Sequence, residues 1–463
     1  MAASAGTWRE IRETGRLGRF VLLCIGIWLH AADSLVTATA MPAIVADIGG
    51  VAYVAWTISL YQIGAIVAGA GTAMLCRRAG SERVLRWAAL LYGAGCALAA
   101  LAPDMGVLLL ARLLQGIGGG TLLSLGYVAV QESFAEHLWG RLFGIQALIW
   151  AGGSLLGPLL GGLFVELGSW RGVFWCFTVQ ALGLWLLATG LGPAATAAPG
   201  PAGRFPVLRM LVLTGATVLI AQAGVTGAAP HALALGTLGL ALLYLAARLD
   251  RAAAERLLPA QLLQPRQPLG AGLLAVFLLC VATTGFWAYG PLLLATLFGT
   301  PPLVSGYLLA GEALAWSAAT LAIAAAPLSA GVHLIRIGAT VVALGAAGLA
   351  LAVPAGSFAA IVLCQILQGV GFGLCWPAII QRTVRCASDT EKVLAAAAPG
   401  TVQRVGYAVG AAVAGIAANL SGLAEGVTAE AARVAAFWVF AAFVPALAVA
   451  LAAVWRFTAR TEA

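Results

Sequence analysis

The sequence predicts an all-α protein that crosses a membrane many times, and three observations lead to this fold class. Only 9% of the 463 residues are charged and 62% are hydrophobic, whereas an ordinary soluble domain carries about 25% charged residues. Apolar segments of roughly 20 residues, the length that spans a bilayer as a helix, follow one another along the chain. A pair of these segments also recurs in the second half of the sequence.

The composition argues against several other classes of protein. The net charge of +8 does not indicate a nucleic-acid partner, because the basic residues lie in short loops between apolar segments rather than along one face. The eight cysteines lack metal-ligand spacing and mostly lie inside apolar segments, as small buried hydrophobic residues do. No nucleotide-binding, zinc-protease or Ser/His/Asp pattern occurs. The sequence therefore predicts no enzyme activity, no catalytic residue, no cofactor and no metal site.

Fourteen apolar segments are predicted to be transmembrane helices. The first is longer than the core of a signal peptide, so we expect it to be retained. The predicted spans are 18–40, 51–75, 87–103, 106–130, 142–165, 172–192, 207–225, 231–248, 270–294, 303–327, 335–354, 358–380, 395–418 and 432–455.

Basic residues predict the orientation of these spans, because Lys and Arg accumulate in cytoplasmic loops. With the N-terminus inside, Arg171 and Arg433 are the loop residues that fall on the outer side. Both termini are therefore predicted to be cytoplasmic. The basic residues of the inner loops and the tail are Arg77, Arg78, Arg83, Arg86, Arg141, Arg204, Arg248, Arg251, Arg256, Arg266, Arg382, Arg385, Lys392, Arg456 and Arg460.

An internal repeat predicts two homologous six-helix halves. When the chain is shifted by 253 positions, Arg112 lies on Gln365, and eight residues are identical over two consecutive spans. Parallel halves related by an axis along the membrane normal are a known transporter design. The predicted domains are a cytoplasmic segment (1–17), an N-terminal bundle (18–192), a linker with an extra helix pair (193–267), a C-terminal bundle (268–456) and a cytoplasmic tail (457–463).

Asp33, Arg112 and Glu312 are charged residues that stand at similar depth inside predicted spans. A charge at the centre of a bilayer costs roughly 2.5–3.5 kcal/mol on insertion scales, and such residues usually face a cavity, a partner or a proton path. Counted from the outer end of each span, Asp33 and Glu312 lie about 13 Å deep and Arg112 about 9 Å deep. Charges at similar depth are unlikely to be scattered at random, so these three residues are predicted to couple proton movement to transport.

Each of the three charges also has a simpler structural interpretation. Burial disfavours an ionised carboxylate and a nearby cation favours it, so Asp33 beside Arg112 could release a proton when its surroundings change. The same pair could instead be a static salt bridge between the first and fourth spans. Glu312 could be a coupling site, a receptor for a cation, or a hydrogen-bond partner between helices.

The fifth predicted span carries a pattern of glycine and proline that is predicted to permit conformational change. Glycines four residues apart allow another backbone to approach closely, and proline removes a hydrogen bond and kinks a helix. An ordinary tight helix crossing is the alternative. The residues concerned are Gly153, Gly157, Pro158, Gly161 and Gly162.

Polar and aromatic residues in the ninth, twelfth and thirteenth spans are predicted to face a substrate. At helical spacing, such side chains can also simply pack between helices. Gln365 is the stronger candidate because it is the repeat partner of Arg112. The predicted substrate-binding residues are Thr284, Trp287, Tyr289, Gln365, Gln368, Trp376, Gln403 and Arg404.

These motifs together resemble the major facilitator superfamily, and in particular its branch of 14-span drug:proton antiporters of the multidrug-efflux type. Leu108 to Gly118 is similar to the family's fourth-span motif, whose arginine is implicated in proton transfer. Gly153 to Gly162 matches the fifth-span motif of exporters. Further similarities are the Asp33 to Pro42 segment of the first span, Trp56 and Tyr61 in the second, the outer turn Ser169-Trp170-Arg171, and the linker 257–268.

One loop departs from the family pattern. The loop between the second and third spans usually reads Gly-x-Leu-x-Asp-Arg-x-Gly-Arg in this family. Here Arg77 occupies the position of the aspartate and Ser81 that of the last arginine. The charge network that steadies one conformation in the family is therefore expected to be changed, replaced or absent.

The resemblance implies a major facilitator fold and a secondary active transporter in the cell's inner membrane. We expect a monomer that exports a small amphipathic molecule in exchange for protons, with membrane lipids around it. A lipid or glycolipid translocase, or a proton-independent facilitator, is an alternative on the same fold. A membrane scaffold or sensor that transports nothing is a more distant alternative.

Overall fold

The computed structural model describes residues 17–190, 205–225, 229–324 and 327–459. In these ranges the chain forms long helices joined by short turns, and no strand occurs. The segment before Leu17, residues 191–204, 226–228 and 325–326, and the tail after Ala459 lie outside the described residues, together with the basic residues that they carry.

Fifteen α-helices occur in the described ranges. In chain order they are α1 (Leu17–Ile48), α2 (Val54–Ala79), α3 (Ser81–Ala100), α4 (Met105–Ser133), α5 (Glu136–Glu166), α6 (Trp170–Thr189), α7 (Val207–Ala223), α8 (Ala229–Ala252), α9 (Pro268–Phe298), α10 (Pro302–Ala322), α11 (Gly331–Ala352), α12 (Phe358–Arg385), α13 (Lys392–Ala418), α14 (Ala429–Ala441) and α15 (Val444–Thr458).

A helix lies at each of the fourteen predicted spans, with α14 and α15 together occupying the last one. Ten helical stretches in the described ranges are long and apolar enough to cross a membrane, and α1, which bends between Asp33 and Leu35, brings the number to eleven. The helix α7 is apolar but has only 17 residues. The number of spans and the side on which the termini lie stay predictions.

Several helix ends follow from local side-chain chemistry. The carboxylate of Asp104 accepts a hydrogen bond from the backbone N–H of Val107 at 2.9 Å, and so caps α4. The hydroxyl of Ser169 caps α6 in the same way. Gly299 ends α9 with a φ of 60°, a left-handed conformation that glycine adopts without steric cost. These signals separate helices that hydrophobicity alone would run together.

The described chain divides into two compact units. The described residues within Met1–Thr37 and Leu60–Pro206 form the first unit, and those within Ala38–Ser59 and Val207–Ala463 form the second. In the first unit α3 packs against α4 and α6, and Tyr92, Phe174 and Phe177 are fully buried. The predicted boundaries of the two six-helix halves stay predictions.

The second unit is built around α9, α12 and α13. The helix α9 packs against α13 and α15, and α12 packs against α10 and α11. The extra helices α7 and α8 pack against each other, and α7 also contacts α13. Phe286, Phe372, Phe443 and Phe457 are fully buried in this unit.

Glycines in α4 bring two neighbouring helices close enough to form a site. A methyl group on Gly116 would collide with the carbonyl oxygen of Tyr61 on α2, and one on Gly118 would lie 2.6 Å from the backbone nitrogen of Tyr92 on α3. The repeat partner of Gly116 is Gly369 on α12, and a methyl group there would collide with the carbonyl oxygen of Glu312 on α10. The glycines of α4 therefore allow the backbones of α2 and α3 to come close. Gly369 of α12 does the same for the backbone of α10 at Glu312.

Candidate functional site

An ion pair between α1 and α4 lies inside the first unit. Arg112 donates a hydrogen bond from Nη1 to Asp33 Oδ1 at 3.0 Å, and Nη1 also lies 2.9 Å from Gln115 Oε1. Both charged side chains are at most 1% exposed. Because a buried charge without a partner is costly, each member of the pair makes the burial of the other possible.

Aromatic residues and a histidine complete this cluster. The Arg112 guanidinium carbon lies 4.2 Å from the centre of the Tyr61 ring, a distance typical of a cation–π contact. The Tyr61 hydroxyl lies 2.9 Å from Nδ1 of His30, a residue that is 2% exposed. Tyr92 donates a hydrogen bond to the carbonyl oxygen of Leu29 at 3.2 Å. One turn of α1, from Leu29 to Asp33, therefore meets α2, α3 and α4.

The glycines of α5 pack directly against α1 next to Asp33. A methyl group on Gly157 would collide with the carbonyl oxygen of Ala32, and one on Gly153 would lie 2.7 Å from the Cβ atom of Ala31. The helix continues through Pro158 to Glu166. Gly161 and Gly162 are buried one turn further on. Gly153 and Gly157 of the fifth-span motif therefore lie where α5 contacts the turn of α1 that precedes Asp33.

A second buried acid occupies the second unit. Glu312 is 4% exposed, and its Oε2 atom accepts hydrogen bonds from Trp287 Nε1 at 2.9 Å and from Gln365 Nε2 at 3.3 Å. Gln368 donates to Gln365 Oε1 at 2.9 Å. The structure therefore brings four of the predicted site residues into one hydrogen-bonded network of α9, α10 and α12.

Two further predicted residues lie in the aromatic surroundings of this network. The Trp287 ring lies 4.8 Å from that of Tyr407 on α13, whose hydroxyl accepts a hydrogen bond from Gln403 Nε2 at 3.0 Å. Trp376 lies 6.0 Å from Trp316, centre to centre. Gln403 therefore reaches the network through Tyr407, whereas no such link is seen for Trp376 among the described contacts.

The remaining predicted substrate residues are Thr284 and Tyr289 on α9 and Arg404 on α13. The Thr284 hydroxyl donates to the carbonyl oxygen of Cys280 in its own helix at 2.8 Å, and faces Gly410 of α13. Tyr289 is fully buried. Arg404 is half-buried on α13. In the described part of the chain, no group of three or more His, Cys, Asp or Glu residues is placed to hold a metal ion.

The sequence model of the Major Facilitator Superfamily matches residues 23–309. A relative described as a "probable multidrug-efflux transporter" of Mycobacterium tuberculosis is 30% identical over 441 residues, which cover 90% of this chain and 91% of that protein. The chain belongs to the major facilitator superfamily. A "Multidrug resistance protein 3" of Bacillus subtilis is 32% identical over 34% of this chain and 31% of its own length.

Solved structures of other transporters have the same fold. A crystal structure of the peptide transporter POT aligns with a TM-score of 0.68 and 14% identity, over 96% of this chain and 94% of that one. A D-xylose-proton symporter aligns with a TM-score of 0.63 and 17% identity, over 95% and 97%. This protein is therefore a multi-pass membrane transporter of small molecules rather than an enzyme, and the predictions of fold family and of a non-enzymatic function are confirmed.

Some residues of this transporter's two clusters were missed by the sequence analysis. His30 precedes Asp33 by three residues, so both lie on one face of a helix, and that spacing could have drawn attention to it. Tyr407 and Trp316 carry no comparable signal. Their contacts with the candidate residues depend on how α10 and α13 are rotated, which apolar sequence does not reveal.

The unusual loop between α2 and α3 is accompanied by a different ion pair. Arg19 near the start of α1 pairs with Glu82 in the first turn of α3 at 2.9 Å, with side chains 31% and 15% exposed. Gly80, between the two helices, has a φ of 85°. Glu82, directly after the loop, thus pairs with α1, whereas the aspartate position of the family pattern holds Arg77.

Proposed function

We propose that this transporter is a proton-coupled antiporter that exports a small amphipathic molecule by alternating access. The observation that carries the proposal is the fully buried ion pair of Asp33 and Arg112. Breaking a buried pair by removing one partner typically costs about 3–5 kcal/mol. Protonation of Asp33 removes the counter-charge of Arg112, so the proton content of this site and the packing of α1 against α4 depend on each other.

The direction of transport and the class of cargo have separate support. The relative in Mycobacterium tuberculosis is described as a multidrug-efflux protein, and the glycine motif of α5 lies against α1 beside Asp33. In this proposal, movement of α5 over α1 changes the access to Asp33. Protons then enter from one side of the membrane while the cargo leaves from the other.

The proposal includes an architecture and a substrate site. It comprises fourteen spans, two six-helix halves at 18–192 and 268–456, both termini in the cytoplasm, and a monomer in the inner membrane surrounded by lipid. Glu312 takes part in coupling. The proposed substrate-facing residues are Thr284, Trp287, Tyr289, Gln365, Gln368, Trp376, Gln403 and Arg404.

The test is transport in vesicles that contain the purified protein. A thermal-shift screen of amphipathic drugs, metabolites and lipids at two pH values supplies a compound that binds, and its uphill movement is then measured under an imposed pH gradient. We expect the gradient-driven transport rate of Asp33→Asn to be at least tenfold lower than that of the wild-type protein. The matched control is Asp104→Asn, because Asp104 is exposed and asparagine is an equally good helix cap.

Two outcomes would overturn parts of the proposal. If Asp33→Asn transports at the wild-type rate under the gradient, the assignment of Asp33 to coupling is wrong. If the wild-type protein moves its cargo equally fast after the pH gradient is collapsed, it is a facilitator or a lipid translocase. Movement of a fluorescent lipid between leaflets then identifies the translocase.

A further inference from the structure

A histidine, His30, lies in the ion-pair cluster and is linked to Arg112 through Tyr61. His30 is 2% exposed and lies three residues from Asp33 on α1. Histidine is the side chain whose ordinary titration falls between pH 5 and 8. Intramembrane histidines are rare and usually mark a proton relay or a ligand pathway. A proton acceptor therefore lies within one helical turn of the proposed coupling carboxylate.

The hydrogen bonds of Tyr61 suit two protonation states of His30. The Tyr61 hydroxyl is 2.9 Å from His30 Nδ1 and 3.2 Å from the His30 carbonyl oxygen. When Nδ1 is unprotonated, the hydroxyl donates to Nδ1. When Nδ1 carries a proton, it donates to the Tyr61 oxygen, and the hydroxyl hydrogen turns to the carbonyl oxygen. The imidazole can thus gain or lose a proton at Nδ1 without leaving a buried polar atom unpaired, which would be costly.

The charges around His30 favour exchange of a proton with Asp33. Arg112 lies over the Tyr61 ring at 4.2 Å, Tyr92 comes from α3, and the Trp150 ring on α5 lies 5.6 Å from the imidazole. Asp33 is the acid in this cluster. One added proton gives the cluster the same net charge whether it is on Asp33 or on His30. Its transfer turns a neutral carboxyl group and a neutral imidazole into two ions without changing the net charge, and the restored carboxylate again pairs with Arg112, which offsets part of the cost of burying the new charges.

We propose that His30 is a second proton-handling residue that receives the proton released by Asp33. The step breaks the O–H bond of the Asp33 carboxyl group and forms an N–H bond on the imidazole, and that proton then leaves toward the N-terminal end of α1. His30 is about 4.5 Å nearer to that end than Asp33, at 1.5 Å per residue. This inference rests on the proposed proton-coupled function.

The first test observes the imidazole directly. The chain has four histidines, so the full-length protein labelled with ¹⁵N in its imidazole rings gives a simple NMR spectrum, in which His30→Gln identifies the signals of His30. We expect these signals to change with pH between 5 and 8, and to change at a different pH in Asp33→Asn. His333 is exposed on α11, so its signals serve as an internal reference in both proteins. A His30 ring that keeps one protonation state throughout this range overturns the inference.

The second test measures transport by His30→Gln, with His333→Gln as the matched control. Glutamine can still bond with Tyr61 but carries no titrating proton. We expect gradient-driven transport to fall at least tenfold, while exchange of labelled for unlabelled cargo without a gradient continues at the wild-type rate. Tyr61→Phe, which keeps the ring beside Arg112, should show the same split. Tyr61→Phe also provides this test if His30→Gln does not fold.

The outcomes separate this inference from the proposed function. If Asp33→Asn loses gradient-driven transport and His30→Gln retains it with an unchanged pH profile, only the assignment of His30 is wrong. If His30→Gln loses both gradient-driven transport and exchange, His30 is structural and the inference is overturned. If Asp33→Asn itself transports at the wild-type rate, the proposed coupling at Asp33 is wrong, and so is the inference for His30 that rests on it.

Discussion

Replacing Gly157 with alanine should weaken the packing of α5 against α1 beside Asp33. The new methyl group would lie 2.9 Å from the Cα atom of Ala32 and closer still to its carbonyl oxygen, whereas an ordinary contact begins at 3.4 Å. The two helices would have to separate by at least the difference, about 0.5 Å. Both atoms on α1 belong to the backbone, so no side chain can rotate away to make room.

The size of the effect follows from two opposing contributions. Forcing an extra methyl group into a packed interface costs about 1–3 kcal/mol. Alanine is also a better helix former than glycine by about 1 kcal/mol, which offsets part of that cost. Gly152→Ala is the matched control, because it lies on the same helix and no atom lies within 4 Å of its new methyl group. The difference between the two variants isolates the packing cost of about 1–3 kcal/mol.

Both variants are purified in the same detergent, and their free energies of unfolding are measured by titration with a denaturing detergent. We expect Gly157→Ala to be the less stable of the two by the packing cost, and to transport more slowly because α5 cannot move freely over α1. Gly152→Ala should match or exceed the stability of the wild-type protein. Equal stability of the two variants would refute the close approach of α5 to Ala32.

Two other predictions concern hydrogen bonds in the second unit. Glu312→Leu leaves Trp287 Nε1 without its acceptor and should lower the free energy of unfolding by about 1–3 kcal/mol, whereas Glu312→Gln keeps an acceptor and should be nearly neutral. Asn419 donates to the carbonyl oxygens of Ala52 and Gly224, so Asn419→Leu should cost a similar amount. Ser421→Ala is its control, because among the described contacts that hydroxyl bonds only to the carbonyl oxygen of Ala417, four residues earlier in the chain. The same unfolding titration measures all four variants, and a stable Glu312→Leu or Asn419→Leu would contradict the assigned bonds.

The sequence predicted where the helices lie, because each apolar run of about 20 residues marks a helix that can span a membrane. Their ends were less readable. The span predicted at 358–380 is helical to Arg385, and the helix ends with Arg382 and Arg385 in its last turn. The backbone hydrogen bonds of this helix extend into polar sequence, so the end of the apolar run does not mark the end of the helix.

The candidate sites were only partly readable, for a different physical reason. Asp33 and Arg112 could be matched by depth, because depth is a simple count along a helix. The direction in which a side chain points requires an amphipathic pattern. The helix α9 is buried along most of its length, so its sequence did not show that Trp287 faces Glu312 while Thr284 faces α13.

The two copies of the repeat differ in how they satisfy a buried acid. Gly116 and Gly369 allow the same close approach in each copy, and Arg112 and Gln365 occupy equivalent positions. Arg112 neutralises Asp33, whereas the described partners of Glu312 are the neutral donors Trp287 and Gln365.

A proton on Asp33 therefore removes the counter-charge of Arg112, and this changes the packing of α1 against α4. A proton on Glu312 changes hydrogen bonds to its described partners, Trp287 and Gln365, which are both neutral. From this contrast we infer that the first copy is the better suited to drive a conformational change.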